Sequence, residues 1–230
     1  MLSDSIDYLK DSDDAVTTVL LGGVLSLLGF LLIPTLLLFG YFVRVLELTG
    51  EGEPEPPRFE RWGALLVDGV KAFVIGFVYL LVPAVVALVF VGGGAAIADN
   101  AGVLGAIGIV GGGLLTLVVG LLVWYAVPAA LANFARERRF SAAFDFGALR
   151  PVLGTETYAT GWLLGLVVTI VGGAIIGVLA IVPLLGWLLA VLVAFYTQVM
   201  AFYIYGRAFG EAREHEPGTD TTVEGGQPAV

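Results

Sequence analysis

Residues 157–206 read TYATGWLLGLVVTIVGGAIIGVLAIVPLLGWLLAVLVAFYTQVMAFYIYG, an uninterrupted run without a charged side chain between Glu156 and Arg207. A helix crossing a bilayer core needs only about 20 apolar residues, so this run holds two. It breaks at Pro183 and Gly186, which gives spans over 157–181 and 184–208. Proline is accepted in the first turn of a helix, so Pro183 reads as the start signal of the final span.

The same pattern extends outward from this run. Charge-free stretches lie between Asp14 and Arg44, between Lys71 and Asp99, and between Asp99 and Arg136. The chain has 230 residues, of which 58% are hydrophobic and 13% charged, whereas soluble domains carry about 25% charged residues. A soluble fold would need one core burying nearly everything. The expected fold is therefore all-α, a polytopic integral membrane helical bundle. Residues 1–212 form its helical membrane domain, and residues 213–230 form a disordered acidic cytoplasmic tail.

The first stretch leaves the count open. Residues 15–43 make about 43 Å of helix, long for one span and short for two across a core of about 30 Å. They form either one tilted helix kinked at Pro34 or a compact hairpin, 15–30 and 33–48, turning at Gly29 to Pro34. Six spans are expected, with five as the alternative. Basic residues set the orientation. Arg44, Arg58, Arg61 and Lys71 lie in one long loop, and Arg136, Arg138, Arg139 and Arg150 in the other. Arg207 and Arg213 lie towards the C-terminus, and the turns at 99–102 and 182–186 have no basic residue. Basic loops stay cytoplasmic, so both long loops and the C-terminus are expected inside, in the plasma membrane. Six spans also place Lys10 inside. The N-terminus is acidic (Asp4, Asp7, Asp11, Asp13, Asp14) and lacks the basic region of a cleavable signal peptide. The first span is therefore expected to be retained.

The two long loops share a layout. Pro34 then Tyr41-Phe42-Val43-Arg44 matches Pro128 then Phe134-Ala135-Arg136. Arg58-Phe59 matches Arg139-Phe140, and Trp62 with Asp68 matches Phe144 with Asp145. Membrane loops in general carry arginine and interfacial aromatics, but the order also fits duplicated hairpins, each with a short interfacial helix. Residues 59–71 and 140–150 are the two candidates for such helices, and Ile6 to Lys10 is a reduced third. Small residues also recur every fourth position: Gly108, Gly112, Thr116 and Gly120, then Gly161, Gly165, Thr169, Gly173 and Gly177. Such ridges let helix backbones approach closely in lipid, so these two helices are expected to form the central packing pair.

The chemistry is sparse. Apart from Arg44, Glu47 and Arg207 at the loop-side ends, no charged residue lies inside an expected span, which lowers the prospect of ion- or proton-coupled transport. Gln198, flanked by Tyr196, Thr197, Tyr203 and Tyr205, is the most unusual polar residue. It either lines a polar groove or makes an interhelical hydrogen bond. The glycine triplets 92–94 and 111–113 lack the Lys-Ser or Lys-Thr of a phosphate loop. The single histidine, His215, supports neither a triad nor a His-rich metal site. There is no cysteine. Glu47, Glu51, Glu53, Glu55 and Glu60, with Pro54, Pro56 and Pro57, read as a solvated linker without EF-hand spacing. No catalytic, cofactor-binding or metal-ligating residue is assigned, and no enzyme activity is expected. The net charge of −9, with lysine only at Lys10 and Lys71, argues against nucleic acid and suits a high-salt cytoplasm.

The segments Ile33-Pro34, Gly40-Tyr41, Val43-Arg44-Val45-Leu46, Pro57, Phe59, Trp62, Val67-Asp68-Gly69-Val70-Lys71-Ala72, Tyr79, Pro83 and Phe140-Ser141-Ala142-Ala143-Phe144-Asp145 carry a resemblance. Together they resemble the haloarchaeal membrane proteins grouped as domain of unknown function 4013, over about residues 1–212. The resemblance implies a six-helix layout and transfers no functional residue. Two functions remain in view. One is a non-enzymatic scaffold or assembly component, meeting a membrane-protein partner or a second copy through the glycine ridges. The other is a transporter or permease-like protein for a small or lipid-like substrate.

Overall fold

The computed structural model describes residues 1–10 and 14–214. Every regular element among them is helical. Helix α1 covers Leu2–Lys10, α2 Ala15–Leu27, α3 Leu32–Gly50 and α4 Trp62–Val86. A π-helical segment, Ala87–Gly92, joins α4 to α5 at Gly93–Glu137. Then follow a 3₁₀ turn at Phe140–Phe144, α6 at Phe146–Leu153, α7 at Glu156–Leu179 and α8 at Leu185–Glu214.

The ambiguous first stretch is two helices. The chain breaks at 28–31, where the Thr35 hydroxyl donates to the carbonyls of Gly29 and Leu31 and ties the turn to the start of α3. Four helical stretches are long and apolar enough to cross a membrane: Leu32–Gly50, Trp62–Glu137, Glu156–Leu179 and Leu185–Glu214. The second folds back on itself, because Ala101 (φ −130°, ψ 31°) and Gly102 (φ 0°, ψ −70°) leave helical geometry. Gly102 is the residue that tolerates so unusual a backbone. Helix α2 is a shorter apolar helix of about 20 Å.

Helices meet where small residues remove the side-chain layer. Gly40 and Gly69 form the tightest crossing, since a Cβ on Gly40 would overlap the Leu65 carbonyl and one on Gly69 the Leu36 carbonyl. On α7, Gly161 faces Ala208, Gly165 faces Tyr205 and Gly172 faces Thr197, all on α8. On α5, Gly105 and Gly108 face Ala98 and Gly94, and Gly112 faces Phe90. The expected pairing of the two glycine ridges is thus corrected. Each packs on its own hairpin partner, because the tight turns at Ala101–Gly102 and 180–184 already set that partner alongside. Gly173, Gly177 and Gly120 of the expected ridges face open space.

Three further expectations change. Residues 62–71 are no separate interfacial helix. They are the first turns of α4, because Leu65 and Gly69 pack directly on α3. Helix α8 begins two residues after Pro183, as Leu184 takes a left-handed φ of 64° in the turn. Arg213 and Glu214 belong to α8, while the rest of the expected tail, with His215, lies outside the described residues, as do Asp11 and Asp13. In the second loop a short helix does form. Asp145 caps α6 by accepting from the Ala148 amide, and Leu149 and Val152 turn inward while Phe146 turns out.

Large buried side chains gather at the end of the bundle that carries the long loops. One cluster joins Ile75 and Tyr79 to Ala129–Ala135, Tyr158, Tyr205 and Phe209. The other joins Tyr8, Leu9, Tyr41, Phe42, Phe59, Phe195 and Ile204. Beyond them, the far half of the α4–α5 hairpin keeps only its glycine seam covered. Leu80, Leu88, Val103, Leu114, Leu117 and Leu122 are all exposed.

Candidate functional site

The most developed polar feature is at the loop end, around Arg44. Helix α3 carries its apolar register on past its exposed start at Leu32 and Ile33, so Arg44 emerges between buried Val43 and Val45 and is only 7% exposed. Its Nη1 donates to the Glu60 carbonyl at 2.8 Å. Among the described residues no carboxylate lies within salt-bridge distance of it. Gly52 (φ 82°) turns the chain after α3. The proline-rich segment from Glu53 to Pro57 then runs back over the site, fixed where the Tyr8 hydroxyl donates to the Glu55 carbonyl.

Phe59 anchors the returning chain. It is buried and stacks on Tyr41 with ring centroids 4.3 Å apart, and on Trp62 at 5.9 Å. Arg58 Nε pairs with Asp14 at 2.8 Å, which ties the start of α2 to the same loop. Arg61, at the N-terminus of α4, has φ 53°, and Arg138, at the C-terminus of α5, has φ 55°. Left-handed backbone at a side-chain-bearing residue costs free energy and persists only where neighbours fix it.

Arg138 shows what fixes it. Its Nε donates to Glu47 Oε1 at 2.7 Å, its Nη2 bonds the second Glu47 oxygen, and its Nη1 meets Asp68 at 3.0 Å. Burial works against the Arg138 charge, but the bonds and charge of Glu47 and Asp68 outweigh it and raise its pKa. This clamp joins α3, α4 and the end of α5. Arg44, Glu47, Glu53, Glu55, Pro57, Glu60, Arg61 and Arg138 are among the residues that line the resulting cavity of about 370 Å³.

The second loop is latched through buried Tyr79 and Asn133. The Tyr79 hydroxyl donates to the Ala143 carbonyl at 2.7 Å, and Phe144 stacks on the same ring. Buried Asn133 donates to Ala142 O at 2.9 Å and accepts from Arg213 at 3.1 Å.

The polar residues singled out from the sequence are scattered. Gln198 is exposed on α8 and makes no interhelical bond with a described residue. It stands one turn before Ala201 and Phe202 and two turns before Tyr205, which pack in the core below it. Four of the acids of 47–60, Glu47, Glu53, Glu55 and Glu60, line the one cavity, but among the described residues no three acids gather as metal ligands. The buried Arg44 is the residue that sequence reading missed. Its place at the end of an apolar stretch looks like that of any interfacial arginine, and only the returning loop covers it.

Multiple long apolar helices, packed through glycine contacts and closed at one end by a charged clamp, define a multi-helix membrane protein. The chain belongs to the family described as "Protein of unknown function (DUF4013)", matched over residues 24–181. That span includes all the segments that carry the resemblance but leaves out α1, most of α2 and all of α8. No curated protein and no solved structure matches the chain.

Proposed function

We propose that the protein is a non-enzymatic membrane scaffold or assembly component, and that the far half of its α4–α5 hairpin is the arm that docks a membrane partner. The uncovered state of that arm carries the reading. Apolar side chains leave it on every side except the glycine seam, from Leu80 and Leu88 on one helix to Leu114, Leu117 and Leu122 on the other. Gly111, Gly113 and Gly120 leave open space on its outer faces. Small outward-facing residues permit another helix to approach closely.

The reading includes six traverses, with both long loops and both ends of the described chain cytoplasmic. Three contacts support an even number. Tyr8 and Asp14 bond the first loop, and Arg213 of α8 bonds Asn133 beside the second. Basic loops favour the inner side. Duplicated hairpins are part of the proposal, since each loop returns an aromatic onto a span tyrosine, Phe59 onto Tyr41 and Phe144 onto Tyr79. The acidic, lysine-poor composition supports a halophilic archaeal setting.

The test is affinity purification from native membranes in mild detergent, followed by mass spectrometry. A stoichiometric membrane partner is expected, and Gly113→Leu with Gly120→Leu should release it without loosening the hairpin seam. Wild-type protein that purifies alone would overturn the reading.

Two observations favour transport as a second reading. The π-helical segment Ala87–Gly92 breaks the α-helical ladder between α4 and α5, and Gln198 is exposed beyond the core. Interrupted helices and isolated polar groups are common parts of substrate paths. Solute uptake by proteoliposomes, lost on Gln198→Leu, would select this reading over the first.

A further inference from the structure

The cavity at the loop end has a built polarity. Its inner wall is Arg44, 7% exposed, with one bond to a backbone carbonyl and no carboxylate within salt-bridge distance among the described residues. The acid nearest to it in sequence, Glu47, is already engaged by Arg138, which also holds Asp68. A buried guanidinium without a carboxylate is costly and is matched by a planar or tetrahedral oxyanion that takes two of its N–H groups. The outer wall is different. Glu53, Glu55 and Glu60 line the same cavity, are exposed and have no ion pair with a described residue. A plain anion would bind Arg44 but meet these acids. A group with a cation a few bonds away from its oxyanion satisfies both ends.

We propose that this cavity binds a small zwitterion, a phosphate ester that carries its own ammonium group, with the phosphate on Arg44 and the ammonium among Glu53, Glu55 and Glu60. Arg61 stands beside the site as a second cation, held in left-handed backbone at the start of α4. The cavity is at the loop end of helices long and apolar enough to span a bilayer, so the ester is either a free solute or a lipid headgroup.

The experiment uses the full chain in neutral detergent and measures the binding of phosphoethanolamine, inorganic phosphate and ethanolamine by calorimetry. Phosphoethanolamine should bind at least about tenfold tighter than either half. Arg44→Lys keeps the charge but loses the fork, and should weaken phosphoethanolamine about tenfold. The combined variant Glu53→Gln, Glu55→Gln, Glu60→Gln lies on an exposed loop, leaves the Glu60 carbonyl in place and should remove the preference over inorganic phosphate. A second arm places the protein in nanodiscs of equal phosphatidylethanolamine and phosphatidylcholine and reads retained lipid by native mass spectrometry. Retention of phosphatidylethanolamine by the parent and not by Arg44→Lys assigns a lipid headgroup. Binding of the soluble ester without such retention assigns a free solute. The proposal is overturned if phosphoethanolamine binds no better than inorganic phosphate, if both variants bind like the parent, or if neither arm shows binding.

Discussion

At the residue scale, backbone contact between helices decides which glycines matter. A Cβ on Gly40 or Gly69 would overlap a carbonyl of the facing helix, and a backbone cannot swing aside as a side-chain end can. Gly40→Ala or Gly69→Ala should therefore cost about 1–3 kcal/mol, read as a lower midpoint of thermal denaturation in detergent. Gly173→Ala meets open space and should change stability by less than about 0.5 kcal/mol. Equal losses at all three positions would show that glycine content, not contact, sets the effect. Arg138 offers a second test. Its removal leaves Glu47 and Asp68, both mostly covered, without their shared cation. Arg138→Ala should cost about 1 kcal/mol, more at low than at high salt, because ions screen the partly open pair. The sequence marked glycines at regular spacing but could not separate Gly165, seated on Tyr205, from Gly173, which touches nothing. Periodicity locates a face of a helix, and only a neighbour makes that face a contact.

At the element scale, short helices and turns follow local chemistry closely. Asp145 caps α6 and Thr155 caps α7, each accepting from an amide three residues on. Asp145→Ala should lower stability by about 1 kcal/mol and loosen the α6 segment, which hydrogen exchange of residues 146–153 would report as faster exchange there than in α7. Unchanged exchange would mean that the packing of Leu149 and Val152, rather than the cap, holds α6. The hairpin of α2 and α3 was one of two open readings in the sequence, since its length suits neither one span nor two. Local bonds decided it, with Thr35 closing the turn on Gly29 and Leu31. The expected interfacial helix at 59–71 failed for the opposite reason. Trp62 onward has enough small and apolar residues to continue straight into α4, and contact with α3 rewards that continuity.

At the scale of the whole molecule, topology can be tested with single cysteines, because the chain has none of its own. Asn100→Cys at the far turn should react with an impermeant maleimide on intact cells, and Ser3→Cys on exposed α1 should not. Ser5 is a poor probe, since it is buried and its hydroxyl bonds the Leu2 carbonyl. Labelling at both positions would sink the even count, and labelling at Ser3→Cys alone would invert the orientation. The sequence by itself determined the helical membrane class, since charge-free stretches such as 157–206 leave the backbone no apolar alternative to helix. It also determined the position of the loops, because charge is tolerated only at the helix ends. The tertiary structure alone decided which ridges meet, that Gln198 stands exposed, and that Arg44 is enclosed beneath a loop anchored by Phe59. Those facts depend on side chains far apart in the chain, and apolar patterning in lipid specifies a helix without specifying its neighbour.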